Sequence, residues 1–312
     1  MAAKVLVTGA SGFVGSALVG FLHGKGYDVL GTVRSAALAQ CSILAPELSA
    51  TSGWRELLAG RDVVVHAAAR AHVLTETETD PLAVFREVNT AGTLNLARQA
   101  AAAGVRRFVF ISSIGVNGLY TREGDCFTEQ SPPAPHNDYA LSKWEAEQGL
   151  LEISRETGLE VVILRPPLVY GPGVKANFLR LIRMVERGLP LPLGAIHNRR
   201  SFLYLGNFVD AIRLCVEHPE AAGQTFLLDD GDPVSTPELI RALARAMGRP
   251  ARMLAVPVGV LKLAGALVGK RAAVARLASS LLVDSSLIRS RLGWMPPFSM
   301  EAGLAATVAG LA

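Results

Sequence analysis

The chain has 312 residues, 50% of them hydrophobic and 19% charged, enough apolar material to build one large or two modest cores without disulfides or metal. That balance excludes intrinsic disorder and collagen-like repeats. The 31 Lys and Arg against 27 Asp and Glu give a net charge of +4, but the cations are dispersed and aromatics make up only 6%, so no nucleic-acid-binding stripe is visible.

The first residues, Met1-Ala2-Ala3-Lys4, run straight into a β-branched stretch and leave no room for a signal peptide. Pattern then predicts a strand over Lys4–Thr8, a helix over Phe13–Lys25, a strand over Asp28–Val33, a short strand over Ser42–Leu44 and a fully buried strand over Asp62–His66. A long helix over Pro81–Ala103 precedes a strand over Arg107–Ser112, and a helix over Asp138–Thr157 precedes a strand over Glu160–Arg165. Strands alternating with helices imply a doubly wound parallel α/β sheet of Rossmann type. Past Pro166-Pro167 the pattern loosens into short helices and isolated strands. We expect residues 1–170 to form the cofactor-binding unit, with about 201–220 returning to it through a helix over Ala211–Glu217, and 171–312 to form a smaller, mixed α/β substrate lobe. The apolar run Val256–Val268 is shorter than the ~20 residues of a spanning helix. It reads as a buried helix, with docking on a membrane surface as the alternative. Cys41, Cys126 and Cys215 are scattered, with no C-x-x-C pair and no Cys/His cluster. That argues against a disulfide framework or metal site and for a reducing, cytoplasmic setting.

Directly after the first strand stands Thr8-Gly9-Ala10-Ser11-Gly12-Phe13-Val14-Gly15. Glycine at the first two positions lets backbone N–H groups approach a pyrophosphate at a helix N-terminus, and Gly15 permits close helix–strand packing. The position of the triplet, between a strand and a helix at the start of a βαβ array, marks a dinucleotide site rather than a bare turn. The second strand ends in Val33-Arg34-Ser35, with no acid to accept the ribose hydroxyls of NAD. Arg34 with Ser35 therefore favours NADP, the guanidinium meeting the 2′-phosphate; stacking of Arg34 on the adenine of NAD is the alternative.

Tyr139 and Lys143 lie four residues apart on one face of a predicted helix. An ammonium there is expected to draw the phenol's pKa down toward neutrality and equip it for proton transfer. Ser112-Ser113 close a parallel strand, at the sheet edge where open α/β folds bind ligands.

With these motifs in hand, the chain resembles the NAD-dependent epimerase/dehydratase family of extended short-chain dehydrogenases/reductases. The likeness covers nearly the whole length. It runs through the glycine turn, Asp62-Val63-Val64-Val65-His66-Ala67-Ala68-Ala69, Asn89-Thr90-Ala91-Gly92-Thr93, Ser112-Ser113, the Tyr139/Lys143 pair, Arg165-Pro166-Pro167-Leu168-Val169-Tyr170-Gly171-Pro172 and Leu292-Gly293-Trp294. The resemblance implies that Tyr139 is the acid/base, Lys143 its ribose-binding partner and Ser113 the hydroxyl that polarises the substrate. It assigns the cofactor to Gly9, Ser11, Gly12, Phe13, Val14, Gly15, Arg34, Ser35, Ala67, Ala68, Ala69, Asn89, Ser112, Tyr139, Lys143 and Pro166. Ser113, Asn177, Arg200 and Arg276 would meet the substrate, the last supplying the cation of a clamp whose acid is missing from the usual spacing. Asn117 stands where the family usually has Tyr, and His66 reads as structural.

Two reactions share these residues. The missing acid after the second strand, and likeness of the segments around Trp144 and Pro167–Phe178 to a bacterial 4-reductase branch, favour an NADPH-dependent nucleotide-sugar 4-ketoreductase. The expected substrate is a UDP-4-keto-6-deoxy-N-acetylhexosamine, giving a UDP-N-acetylquinovosamine-type product for surface polysaccharide. UDP-hexose 4-epimerisation is the alternative. A non-catalytic dinucleotide-binding scaffold is a third reading, and the intact Ser/Tyr/Lys set argues against it. Ile114-Gly115, where 4,6-dehydratases carry Asp-Glu, argue against dehydration. The family further implies a homodimer through its two long helices, and the polysaccharide setting implies loose association with membrane glycosyltransferases.

Overall fold

The computed structural model describes residues 3–35, 42–71, 79–267, 269 and 271–311; Cys41 and Val268 lie outside them. β1 (Lys4–Thr8), α1 (Phe13–Gly24), β2 (Asp28–Val33), β3 (Ser42–Leu44), a short α2 (Arg55–Leu58) and β4 (Val63–His66) follow the expected order. The expected helix over 81–103 is instead α3 (Pro81–Phe85), a π-helical segment Arg86–Ala91 and α4 (Gly92–Ala102). The wide turn surrounds Asn89, whose amide nitrogen donates to the Arg70 carbonyl and to Ser142 Oγ, both at 3.0 Å. Pi-bulges of this kind recur at functional sites.

β5 (Arg107–Ile111), α5 (Asp138–Thr157) and β6 (Glu160–Arg165) complete the regular part. Asn137 caps α5 by accepting from the Ala140 N–H at 2.8 Å, and Gly158 ends it at φ 77°, the left-handed turn that glycine adopts without strain. After it come β7 (Leu168–Tyr170), α6 (Ala176–Glu186), β8 (Phe202–Tyr204), α7 (Leu205–Glu217), β9 (Thr225–Leu227), α8 (Thr236–Ala246), α9 (Val258–Leu267), α10 (Arg271–Ala278), α11 (Ser286–Leu292) and α12 (Met300–Ala309). Helix α7 begins at Leu205 rather than Ala211. Its first turn is anchored by tertiary contacts: Asp230 accepts from the Tyr204 N–H and, at 2.7 Å, from Asn207.

Seven parallel strands form the main sheet in the order β3-β2-β1-β4-β5-β6-β9, while β7 pairs with β8 separately. The chain reverses direction across the sheet between β1 and β4, so the C-terminal ends of these strands flank the crevice of a topological switch point. Alternation divides the strand side chains. Val5, Val7, Val63, Val65 and Val109 pack with α1 and α7 on one face, and Leu6, Val64, Phe108 and Phe110 pack with α4 and α5 on the other. Both faces are buried, as an all-parallel sheet requires. Fully buried Arg107 joins β5 to α7: it pairs with Glu160 at 2.7 Å and donates to the carbonyls of Cys215 and His218, both at 2.8 Å. It thereby satisfies the open end of α7. A separate core gathers Tyr170, Phe178, Ile182, Leu239, Leu243 and Leu304.

One expectation is overturned. Helix α9 is not a buried helix: Gly265 is its one buried residue, and Leu263 and Leu267 are 66% and 82% exposed. Apolar composition suggested burial, but among the described residues no neighbouring element covers its apolar stripe. Among the described residues, no helix is long and apolar enough to cross a membrane.

Candidate active site

The glycine turn is built by close approach. Gly9 has φ 72°, and a Cβ there would lie 2.8 Å from the Ala68 backbone; a Cβ on Gly15 would lie 2.2 Å from the Gly9 carbonyl oxygen. Side chains at either position would collide with fixed backbone, so the β1 turn can lie against the Ala67–Ala69 segment after β4 only with glycine present. The result is a cradle of backbone N–H groups at the start of α1, a fit for a dinucleotide pyrophosphate. Ser11, Gly12 and Phe13 also line an open cleft of about 500 Å³, which extends to Pro172, Lys175 and Leu205. Lys175, at the N-cap of α6 two residues before Asn177, carries no motif signal in the sequence.

Arg34 and Ser35 are exposed at the end of β2. Beneath the switch point, His66 is fully buried, its Nδ1 2.7 Å from Thr8 Oγ1 and its Nε2 3.0 Å from Thr93 Oγ1. Burial, with a smaller effect from the Lys143 charge, pushes its pKa down to about 3. A neutral imidazole with both nitrogens engaged pins β1, β4 and α4 together.

Lys143 is buried, its ammonium donating to the Ile111 carbonyl at 2.8 Å and lying 4.4 Å from the Phe110 ring centroid. Burial pushes its pKa down to about 7 against the upward pull of Glu147. Tyr139, one turn earlier, is partly buried and makes an edge contact with Phe85 at 6.3 Å between centroids. The expectation that the ammonium draws this phenol toward neutrality does not hold here: burial pushes Tyr139 up to about 12. Desolvation disfavours the phenolate, and the phenol stays protonated. Ser113 caps the short turn Ile114–Val116, its oxygen accepting from the Gly115 N–H at 3.1 Å. An accepting hydroxyl still has its own O–H to donate.

Behind these groups lies a network that motif reading missed. Glu147, one turn beyond Lys143, is buried and pairs with Arg165 at 2.5 Å; Ser112 Oγ donates to the same carboxylate. The hydroxyl of Ser112 is thus engaged within the buried network. Arg165 also donates to Asn117 Oδ1 at 3.1 Å. The Tyr-to-Asn departure from the family pattern therefore supplies a buried acceptor for the arginine that opens the Arg165-Pro166-Pro167 segment. Asn89 is likewise buried, holding the Arg70 backbone. Pro166 is buried as well, its carbonyl accepting from the Ile114 N–H at 3.0 Å.

Two of the expected substrate residues, Arg200 and Arg276, lie together. Arg200 donates to the backbone carbonyls of Arg276 and Ser279, both at 3.1 Å, and burial pushes its pKa down. The Arg276 side chain itself is exposed. Asn177 is exposed in the first turn of α6, which the backbone enters through Ala176 at φ 55°. Left-handed geometry at a non-glycine residue costs about 1–3 kcal/mol and tends to mark functional sites.

Comparison with known proteins agrees with this geometry. Residues 5–228 match the model of the NAD dependent epimerase/dehydratase family. A Vibrio cholerae protein named UDP-glucose 4-epimerase is 47% identical over 98% of this chain and 95% of its own length. The solved structure of MoeE5 with UDP-glucose and NAD is 26% identical, with a TM-score of 0.77 over 99% of this chain and 98% of that one. The UDP-glucose 4-epimerase structure from Thermotoga maritima, 24% identical with a TM-score of 0.76 over 98% of each chain, shares the fold. The chain therefore belongs to the NAD-dependent epimerase/dehydratase family of extended short-chain dehydrogenases/reductases, enzymes that include nucleotide-sugar epimerases, dehydratases and reductases.

Proposed function

We propose that this enzyme is an NADPH-dependent nucleotide-sugar 4-ketoreductase, acting on a UDP-4-keto-6-deoxy-N-acetylhexosamine to give a UDP-N-acetylquinovosamine-type product. The observation that carries the reading is the end of β2, where exposed Arg34 and Ser35 stand in place of an acid. A guanidinium fork suits a 2′-phosphate, whereas an NAD site favours a carboxylate at this point.

In this reading Gly9, Ser11, Gly12, Phe13, Val14 and Gly15 hold the pyrophosphate, and Ala67, Ala68 and Ala69 pass beneath the nicotinamide. Asn89 and the buried backbone at Ser112 and Pro166 fix the walls of the site. The reduced dinucleotide supplies the hydride that C4 accepts. Tyr139 gives its phenolic proton to the oxygen developing at C4, a role suited to a phenol kept protonated by burial. Ser113 hydrogen-bonds the same oxygen through its free O–H, and Lys143 holds the ribose while its positive charge favours the phenolate left behind. Arg200, Asn177 and Arg276 bind the UDP diphosphate. The chain divides near residue 170 into a cofactor unit, to which about 201–220 return, and a substrate lobe. The working unit is a homodimer through α4 and α5, and the product feeds glycosyltransferases at the membrane.

The second reading, UDP-hexose 4-epimerisation, is favoured by the name of the 47% identical Vibrio cholerae relative. Cofactor titration separates the two. The reductase reading expects NADPH to bind at least about tenfold tighter than NADH, with Arg34→Glu reversing the order. Tight NAD binding indifferent to Arg34 would favour the epimerase.

A further inference from the structure

The net charge of the chain is not spread evenly. From Leu239 to Val283 there are eight Lys or Arg and no Asp or Glu, so this one segment carries more than the whole chain's net +4, and everything outside it is net acidic. All seven of those cations that the structure describes are exposed.

The same segment contains α9 and α10, which pack mainly against one another. Their tie to the body is at the two ends. At the entry to α9 the Leu191 N–H donates to the Arg252 carbonyl and the Leu254 N–H to the Leu191 carbonyl, both at 2.9 Å. At the exit of α10, Asn198 donates to the carbonyls of Leu277 and Ser279 at 3.1 and 3.0 Å. Between these anchors the hairpin turns its apolar side outward. Val260, Leu263, Ala264 and Leu267 follow the i, i+3, i+4, i+7 spacing of one helical face, and Val260, Leu263 and Leu267 are 54%, 66% and 82% exposed. Leu254 at the hairpin's base is 55% exposed and Leu189, in the adjoining loop, 45%. A contiguous apolar face of this kind marks an interaction surface. Lys262 and Arg271 stand exposed on the same hairpin.

We propose that the α9–α10 hairpin docks this enzyme on an anionic lipid surface, the leucine face entering the interface and the hairpin's own cations, Lys262, Arg271 and Arg276, meeting the headgroups. An apolar face on a hairpin that carries cations and no anion is the complement of a negatively charged bilayer. The net-acidic remainder of the chain is repelled by the same bilayer, which orients the molecule with this hairpin toward it. Because Arg200 donates to the Arg276 carbonyl at the end of α10, docking would meet the bilayer beside the proposed diphosphate-binding cluster. The inference does not depend on which reaction the enzyme catalyses.

The test is co-sedimentation of the full chain with vesicles of phosphatidylcholine alone and of phosphatidylcholine mixed with phosphatidylglycerol. We expect binding to the mixed vesicles only, weakened by salt, and reduced at least about tenfold both by Leu263→Glu with Leu267→Glu and by Lys262→Glu with Arg271→Glu. These are exposed positions, so the circular dichroism spectrum and dinucleotide affinity should not change. Absence of binding to the mixed vesicles would overturn the proposal. So would binding that ignores the leucine pair, or a dimer in sedimentation that the leucine pair dissociates, since the face would then belong to a second copy of the chain.

Discussion

The Lys143 ammonium donates to the Ile111 carbonyl at 2.8 Å, so the helix carrying the candidate acid is tied to the end of β5, where Ser112-Ser113 begin. Burial that pushes Lys143 down to about 7 makes its charge titratable near neutral pH. The ammonium is fully present below that value and lost as pH rises through it. The kcat/KM profile, which reports the free enzyme, should therefore fall on the alkaline side of about 7. Lys143→Arg, whose charge persists, should remove that limb, and Lys143→Met should lower kcat by about 10²–10⁴-fold. A wild-type profile flat from pH 6 to 9 would contradict the role.

Gly15 is a steric requirement. A methyl group there would sit 2.2 Å from the Gly9 carbonyl oxygen, and backbone cannot yield that far without opening the cradle. Gly15→Ala should abolish dinucleotide binding measured by fluorescence or calorimetry. Unchanged affinity would show that the turn does not hold the pyrophosphate.

Asn117 offers a test of the departure from the family pattern. It is buried and accepts from Arg165, which also pairs with Glu147. Restoring the family's residue with Asn117→Tyr inserts a ring into a packed site and removes the acceptor, and should cost about 2–4 kcal/mol in denaturant unfolding. If the tyrosine were accepted without loss, the network would not depend on this amide.

His66 predicts an acid limb of stability. Its folded pKa lies at about 3 against an ordinary 6.5, so the unfolded chain binds the extra proton. The contribution is whole above 6.5 and is lost as pH falls toward 3, by up to about tenfold in the folding constant per pH unit. Unfolding of wild type and His66→Gln between pH 4 and 7 should show a shallower slope in the variant, whatever its absolute stability.

What the sequence disclosed and what it withheld differ in kind. β1, β2, β3 and β6 begin and end where periodicity places them; for β1, β2 and β6 the reason is that strands buried on both faces write themselves as apolar runs, whereas β3 is an edge strand with Ile43 and Leu44 exposed. The glycine turn was legible because its chemistry is local. Helix α7 began six residues early because Asp230, distant in sequence, organises its first turn. The Glu147–Arg165–Ser112 network was invisible for the same reason, since each member looks like an ordinary surface or motif residue until the fold brings it inside. Helix α9 misled in the opposite direction: its apolar composition implied burial, and only the packing shows that its leucines face outward.

The proposed reaction is reduction of a 4-keto nucleotide sugar with Tyr139 as proton donor. Its most direct test is incubation of the purified enzyme with a UDP-4-keto-6-deoxy-N-acetylhexosamine and NADPH, following absorbance and product together. One NADPH should be oxidised per 4-hydroxy product formed, with Tyr139→Phe nearly silent. Tightly retained NAD, no net NADPH consumption and interconversion of UDP-glucose with its C4 epimer would contradict it.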